Sequence, residues 1–176
     1  MFIRDRTPSR LAGLFEAITF TGSSNVLIPL ASIATLALLF VRRRLEALWV
    51  AASVIAGATL VFAVKTVVGR ARPALWDTQW YWGSSFPSGH TLVVAAFATA
   101  CALCIGRIWP AARVASLAAA LAWTLLVALS RLVLGVHWPT DVLVAACAGA
   151  SIPLTMSVAL ELRRAARTDF PSARRW

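Results

Sequence analysis

The stretch "LEALWVAASVIAGATLVFAVKTVVGRARP", Leu45 to Pro73, decides the fold. From Leu45 to Val64 its only charged residue is Glu46, near the start. The run is as long as the roughly 17 to 25 residues that an α-helix needs to cross the hydrocarbon core of a bilayer. It then closes on "KTVVGRARP", Lys65 to Pro73, where cations gather. Four further apolar runs have similar length: about Ser24 to Val41, Gly89 to Gly106, Ala111 to Leu129 and Val142 to Leu160. No sheet is needed for any of them, and a single segment in lipid must satisfy its own backbone N–H and C=O groups, as a helix does. The fold class is therefore all-α, a polytopic transmembrane helical bundle with five clear spans.

Composition agrees. The 176 residues are 60% apolar and only 14% charged, with mean hydropathy +0.77, whereas a soluble domain carries about 25% charged residues. No internal repeat, low-complexity segment or linker divides the chain, so residues 1–176 are expected to form a single membrane-embedded domain. Residues 1–22 differ from the rest: "RLAGLFEAITFTG", Arg10 to Gly22, is too short to span and holds Glu16 in its middle. It is expected to be a short N-terminal interfacial helix, or else a sixth, unusually short span. No clean apolar core and cleavage site follow Met1 to Arg10, so the segment is expected to remain on the mature protein.

The net charge of +10 excludes little by itself, but its placement speaks against nucleic acid, because the arginines sit at the ends of the apolar runs. Arg42 to Arg44, Arg107 with Arg113, and the tail arginines Arg163, Arg164, Arg167, Arg174 and Arg175 fall on one side of an alternating bundle. The positive-inside rule makes that side cytoplasmic. The connections Lys65 to His90 and Arg131 to His137 then face outward, and with five spans the N-terminus does too, so that Arg4, Arg6 and Arg10 run against the rule. Cys101, Cys104 and Cys147 fall inside spans and are expected to be small buried hydrophobes, with no zinc or redox role.

The chemistry lies in the outward connections. Lys65 is the only lysine, and Arg72 follows it by seven; if the helix continues for two more turns the two share a face, and Pro73 then ends it. Arg70 between them is expected only to snorkel. In "SSFPSGHT", Ser88 can cap the helix that follows, leaving the first-turn N–H groups at Gly89, His90 and Thr91 unpaired, which is an anion site. In "SRLVLGVHWPTD", Ser130 to Asp141, Gly135 allows a turn and Pro139 suits a helix first turn. His137 and Asp141 can then meet across that turn, and the carboxylate fixes the tautomer of the imidazole and leaves its other nitrogen free. Taken singly, each of these has a structural explanation: snorkelling cations, a capped helix start, a carboxylate on a helix dipole. Three cations, exposed amides and two imidazoles converging from three separate segments specify a phosphate on which chemistry is done.

Lys65-x6-Arg72-Pro73, Pro87-Ser88-Gly89-His90 and Ser130-Arg131-x5-His137-x3-Asp141 together resemble the three signature motifs of the type 2 phosphatidic acid phosphatase (PAP2) superfamily, in its membrane lipid phosphatase branch. The superfamily also includes soluble vanadium haloperoxidases, whose chemistry the five spans disfavour. The resemblance implies that His137 attacks phosphorus and becomes phosphohistidine, that Asp141 orients it, and that His90 protonates the leaving oxygen. It implies also that Lys65, Arg72, Ser88, Gly89 and Arg131 hold the phosphoryl oxygens, with no metal and no cofactor. Membrane members typically have six helices, against five clear ones and a short segment here.

The implied function is a metal-independent lipid phosphatase of a bacterial inner membrane, with its site facing the periplasm. Its partners would be membrane lipids and a lipid phosphate substrate: a polyprenyl diphosphate, phosphatidic acid, phosphatidylglycerol phosphate or a lipid A phosphate, with a slight preference for the polyprenyl carrier. A lipid phosphotransferase using the same phosphohistidine is the nearest alternative, and a non-catalytic anion or lipid binder, or a transporter with a phosphate site, is the other. Trp76, Trp80, Tyr81 and Trp82 are expected to form an interfacial aromatic belt, with a lid over the lipid chain as the alternative.

Overall fold

A computed structural model describes residues 9–73 and 83–168. Six α-helices follow in order: α1 (Ser9–Thr21), α2 (Ser24–Phe40), α3 (Arg44–Val68), α4 (Gly89–Ile108), α5 (Arg113–Val133) and α6 (Pro139–Thr168), with a short 3-10 turn at Pro110–Ala112 before α5. The helix starts and ends fall within a few residues of the apolar runs, except that α6 extends well past Leu160. Among the described residues there is no strand. The aromatic cluster Trp76 to Trp82 and the outermost arginines, Arg4, Arg6, Arg174 and Arg175, lie outside the described residues.

Helices α3, α4 and α6, together with α5 and the turn before it, are each long and apolar enough to cross a membrane. The short α2 passes that test only as a pair with Leu11–Thr21, bent by 41° at the break between them. At about 1.5 Å per residue, α1 rises about 20 Å and is too short to cross alone. It leans instead on α5, where Trp123 Nε1 donates to Thr21 Oγ1 at 2.9 Å. The result is a multi-pass bundle of five crossings if α1 and α2 count as one broken span.

Helix α4 is the hub, packed against α3, α5 and α6 and touching α2. Its sequence explains why. Ala95, Ala96, Ala98, Ala100 and Ala102 are buried along it, and small side chains let helix backbones approach closely where lipid supplies no hydrophobic drive between them. At Gly149 of α6 a Cβ would stand 2.2 Å from the carbonyl oxygen of Leu92, so nothing larger fits the α4–α6 crossing. Larger side chains fill the space beyond: Leu27, Trp49, Val50, Val94, Phe97 and Val127 form one buried cluster, with Trp123 set edge-on to Phe97 at 6.2 Å between ring centroids. The outward faces carry exposed Phe40, Val67, Val114 and Leu162, as lipid contact requires. Cys104 is buried as expected, whereas Cys147 is exposed on the outer face of α6.

The alternation of the helices brings the C-terminal ends of α3 and α5 and the N-terminal ends of α4 and α6 to one end of the bundle, and the α1–α2 corner joins them. Arg42 to Arg44, Arg107, Arg113 and Arg163 all lie at the other end.

Candidate active site

The first segment departs from a simple helical face. Helix α3 stops at Val68 because Gly69 takes the left-handed conformation, φ 59°, which glycine adopts without a Cβ penalty. The two further helical turns expected between Lys65 and Arg72 do not form. The chain folds back instead, and Lys65 and Arg72 still line one cavity. Lys65 is buried and its Nζ donates to the carbonyl of Ser84, while Ser84 Oγ donates back to the carbonyl of Lys65 at 3.2 Å. Arg72 donates to the carbonyl of Val136 at 3.0 Å, and the same nitrogen lies 3.4 Å from His137 Nε2. Arg70 does more than snorkel: it donates to Asp141 Oδ1 at 2.8 Å and to Thr140 Oγ1 at 2.7 Å, and its guanidinium lies over the ring of Trp138.

The second segment opens α4. Ser88 stands at the N-cap without a side-chain capping bond; its hydroxyl pairs with Thr91 Oγ1 at 3.0 Å and its N–H donates to the carbonyl of Asp141 at 3.2 Å. The helical ladder begins with Leu92 N–H donating to Ser88 at 3.0 Å, so the N–H groups of Gly89, His90 and Thr91 precede it. Gly89 and His90 line the cavity. Ser88 is fully buried beside it, which leaves its hydroxyl facing Thr91 and not the open space.

The third segment joins α5 to α6. Gly135 turns the chain at φ 67°, Val136 N–H donates to Arg131, and Pro139 is the first residue of α6, as the sequence predicts. His137 Nδ1 lies 3.4 Å from Asp141 Oδ2, a loose contact of the kind that tightens on substrate binding. Nε2 is thereby directed toward Arg72. Oδ2 of Asp141 also accepts the Ser85 hydroxyl at 2.5 Å and the Trp138 N–H at 2.9 Å. Arg131 is only 1% exposed and donates to Thr19 Oγ1 of α1 at 2.7 Å. Burial pushes the His137 imidazole down from 6.5 to about 4; the nearby Asp141 carboxylate opposes that shift, and Arg131 and Arg72 reinforce it.

Lys65, Arg72, Gly89, His90, Arg131 and His137 therefore share a cavity of about 440 Å³. Much of its remaining wall is apolar, with Leu27, Ile28, Val54, Ala58 and Val61 from α2 and α3, while Gly22 and Ser24 line it at the α1–α2 corner. Ile28, Val54 and Ala58 continue into a second apolar groove of about 520 Å³ between the same two helices. Among the described residues no three His, Cys, Asp or Glu side chains are grouped as a metal ion needs. Asp141 stands behind His137, fully buried. Three residues absent from the sequence-based site complete it: Arg70 and Ser85 on Asp141, and Thr19 on Arg131. Nothing in the sequence marks Thr19, which lies more than a hundred residues from its partner.

Comparison with known proteins matches residues 46–164 to the family model described as the PAP2 superfamily. A stretch of 63 residues is 46% identical to phosphatidylglycerophosphatase B of Escherichia coli (strain K12). It covers 36% of this chain and 24% of that protein, so the match spans about a quarter of the relative's length. Among solved structures, a transmembrane PAP2 type phosphatidylglycerolphosphate phosphatase from Bacillus subtilis superposes with a TM-score of 0.83 at 25% identity, over 90% of this chain and 81% of that one. Aquifex aeolicus LpxE superposes with a TM-score of 0.68 at 25% identity, over 87% and 88% respectively.

Proposed function

We propose, from the premise that this chain belongs to the PAP2 superfamily, that it is a membrane lipid phosphatase working through a phosphohistidine. The carrying observation is one cavity lined both by the cations Lys65, Arg72 and Arg131 and by apolar residues of α2 and α3. Such a cavity suits a phosphate attached to a hydrocarbon chain and suits neither group alone. The chain acts as one domain, and its site opens on the outer face of a bacterial inner membrane, since the arginine-rich end fits the cytoplasmic side.

The geometry supports the following sequence of events. Lys65, Arg72, Arg131 and the N–H groups at the start of α4 hold the non-bridging oxygens, with Gly89 allowing close approach and Ser88 fixing that helix start from behind. His137, unprotonated because it is buried among cations, attacks phosphorus through Nε2, and the bond from phosphorus to the lipid oxygen breaks. The electron pair leaves on that oxygen, and His90 supplies its proton. Asp141 keeps the proton on Nδ1 of His137 and stabilises the positive charge that develops on the ring. Water then attacks the phosphohistidine, gives its proton to His90, and releases phosphate with His137 restored. Fixed cations serve the role that magnesium has in many phosphoryl transfers. Phosphatidylglycerol phosphate is the substrate the Escherichia coli and Bacillus subtilis relatives suggest; phosphatidic acid, a polyprenyl diphosphate and a lipid A phosphate offer the same head and tail chemistry.

The test is phosphate release in detergent from a panel of these lipids, with excess EDTA present throughout. Release from at least one lipid that persists in EDTA is expected. Activity that EDTA abolishes and magnesium restores would sink the metal-independent mechanism, and binding without release would favour a non-catalytic lipid binder.

A further inference from the structure

We propose that Arg70 is a positioning residue that acts through Asp141 and, with Ser85, sets the state of the attacking imidazole. The inference rests on the phosphatase reading above and adds a residue outside the motif positions that carried it. Arg70 ties all three segments of the site together. Its carbonyl accepts the Ser85 N–H at 2.7 Å, and its guanidinium reaches Asp141 Oδ1 and Thr140 Oγ1 while covering the Trp138 ring at 5.5 Å. It does not line the phosphate cavity, and the site group that its guanidinium touches is the Asp141 carboxylate.

The two oxygens of Asp141 have separate duties. Oδ1 takes Arg70, while Oδ2 takes Ser85 and the Trp138 N–H and faces His137. A carboxylate held on one edge by a guanidinium cannot rotate to exchange its oxygens without breaking a charge-assisted bond. The Arg70 charge also limits how strongly Asp141 can draw a second proton onto His137. That second proton would occupy Nε2, the nitrogen that must attack. Among the described residues, Lys65 of α3, His90 of α4, Arg131 of α5, Asp141 of α6, and Arg70 and Arg72 of the segment after α3 are the charged and titratable groups around the ring. Among them Asp141 alone favours imidazolium, and Arg70 is the cation in direct contact with it.

The experiment uses the full chain in detergent and measures phosphate release from the best lipid of the panel. Wild type, His137→Ala, Arg70→Met, Arg70→Lys, Asp141→Asn and the double variant Arg70→Met with Asp141→Asn are compared. Arg70→Met is expected to lower kcat about tenfold with KM unchanged, and Arg70→Lys to stay within about threefold of wild type because it keeps the charge. In the Asp141→Asn background the same Arg70→Met change is expected to have little further effect, since its target is gone. The acid limb of kcat/KM in Arg70→Met should move to higher pH. A loss of equal size in both backgrounds, a raised KM, or an unmoved acid limb would overturn the proposal. If Arg70→Met does not fold, Ser85→Ala takes its place under the same criterion of vanishing loss beside Asp141→Asn. Absence of wild-type turnover, or full turnover in His137→Ala, instead overturns the phosphatase reading and this proposal with it.

Discussion

Both ends of the bundle are rich in cations, yet they are built on opposite principles. At the end away from the site, Arg42 to Arg44 and Arg113 are exposed, and Arg43 meets Glu46 only at 3.8 Å. Arg107 lays its guanidinium over Trp49, 5.4 Å from the ring centroid. At the site end, Lys65 and Arg131 are buried, Arg72 is half-buried, and among the described residues one fully buried carboxylate, Asp141, stands with them. Burying like charges together costs free energy that water would otherwise supply. An end assembled at that cost is complementary to an anion of high charge. An end of exposed arginines is complementary only to headgroups and solvent. The number of arginines therefore says little about function, and their burial and fixed partners say a great deal.

The strongest way to break this comparison is to remove the group at its centre. His137→Ala should lower phosphate release by about 10⁴-fold or more, since no other side chain replaces an attacking nitrogen. Asp141→Asn should fall between that variant and wild type, because it disturbs tautomer and charge without deleting the nucleophile. The protonation of His137 provides a second measure. Its folded value, held at about 4 by burial against an ordinary 6.5, means that the unfolded chain binds more protons on this residue between those limits. Its contribution to stability is thus complete above the unfolded value and is lost as pH falls toward the folded one, and kcat/KM should show an acid limb near the folded value. An acid limb at or above pH 6.5 in wild type would mean that Asp141 outweighs burial and the cations.

A more moderate effect separates the two histidines. If His90 supplies the proton to the leaving oxygen, its removal should matter in proportion to how badly that oxygen needs one. His90→Ala should cost about 10²- to 10³-fold on an alkyl lipid phosphate and about tenfold on an aryl phosphate with an acidic phenol. Equal losses on the two substrates would show that His90 binds phosphate without donating a proton.

The comparison also explains what was legible in the sequence. Span positions could be read because lipid demands uninterrupted apolar length, and the motif residues because their types and spacing resemble the three signature motifs of the PAP2 superfamily. The joints were not legible. Gly69 ends α3 before the turns that were expected to align Lys65 with Arg72, a decision made by one left-handed residue that helical periodicity cannot foresee. Arg70 looked like the arginines of the opposite end, because pairing with Asp141 depends on a fold-back and on a partner some seventy residues away. Ser85 and Thr19 carry no mark in the sequence for the same reason: a hydroxyl shows its role only through its partner. Ser88 was legible as the start of α4, while the direction of its hydroxyl toward Thr91 was not.

The smallest kinetic effect is expected at the arginine-rich end. Replacing Arg42, Arg43 and Arg44 together by Gln removes three exposed charges whose one ion pair among the described residues is long, and such groups contribute little to a folded structure. Turnover in detergent should stay within about twofold of wild type, whereas a comparable neutralisation at Lys65, Arg72 and Arg131 should abolish it. What these arginines are expected to control is orientation. Cysteine reporters at Ala71, beside the site, and at Ala111, in the turn before α5, test this in a background with Cys101, Cys104 and Cys147 replaced. Both reporter positions are exposed, and they lie at opposite ends of the bundle. In intact cells Ala71→Cys should react with an impermeant maleimide and Ala111→Cys only after the membrane is opened; the Gln triple variant should blur that difference while leaving the rate in detergent alone. A collapse of the detergent rate would mean that the two ends are coupled through the bundle, and a reversed labelling pattern in the unaltered background would place the phosphate site on the cytoplasmic side.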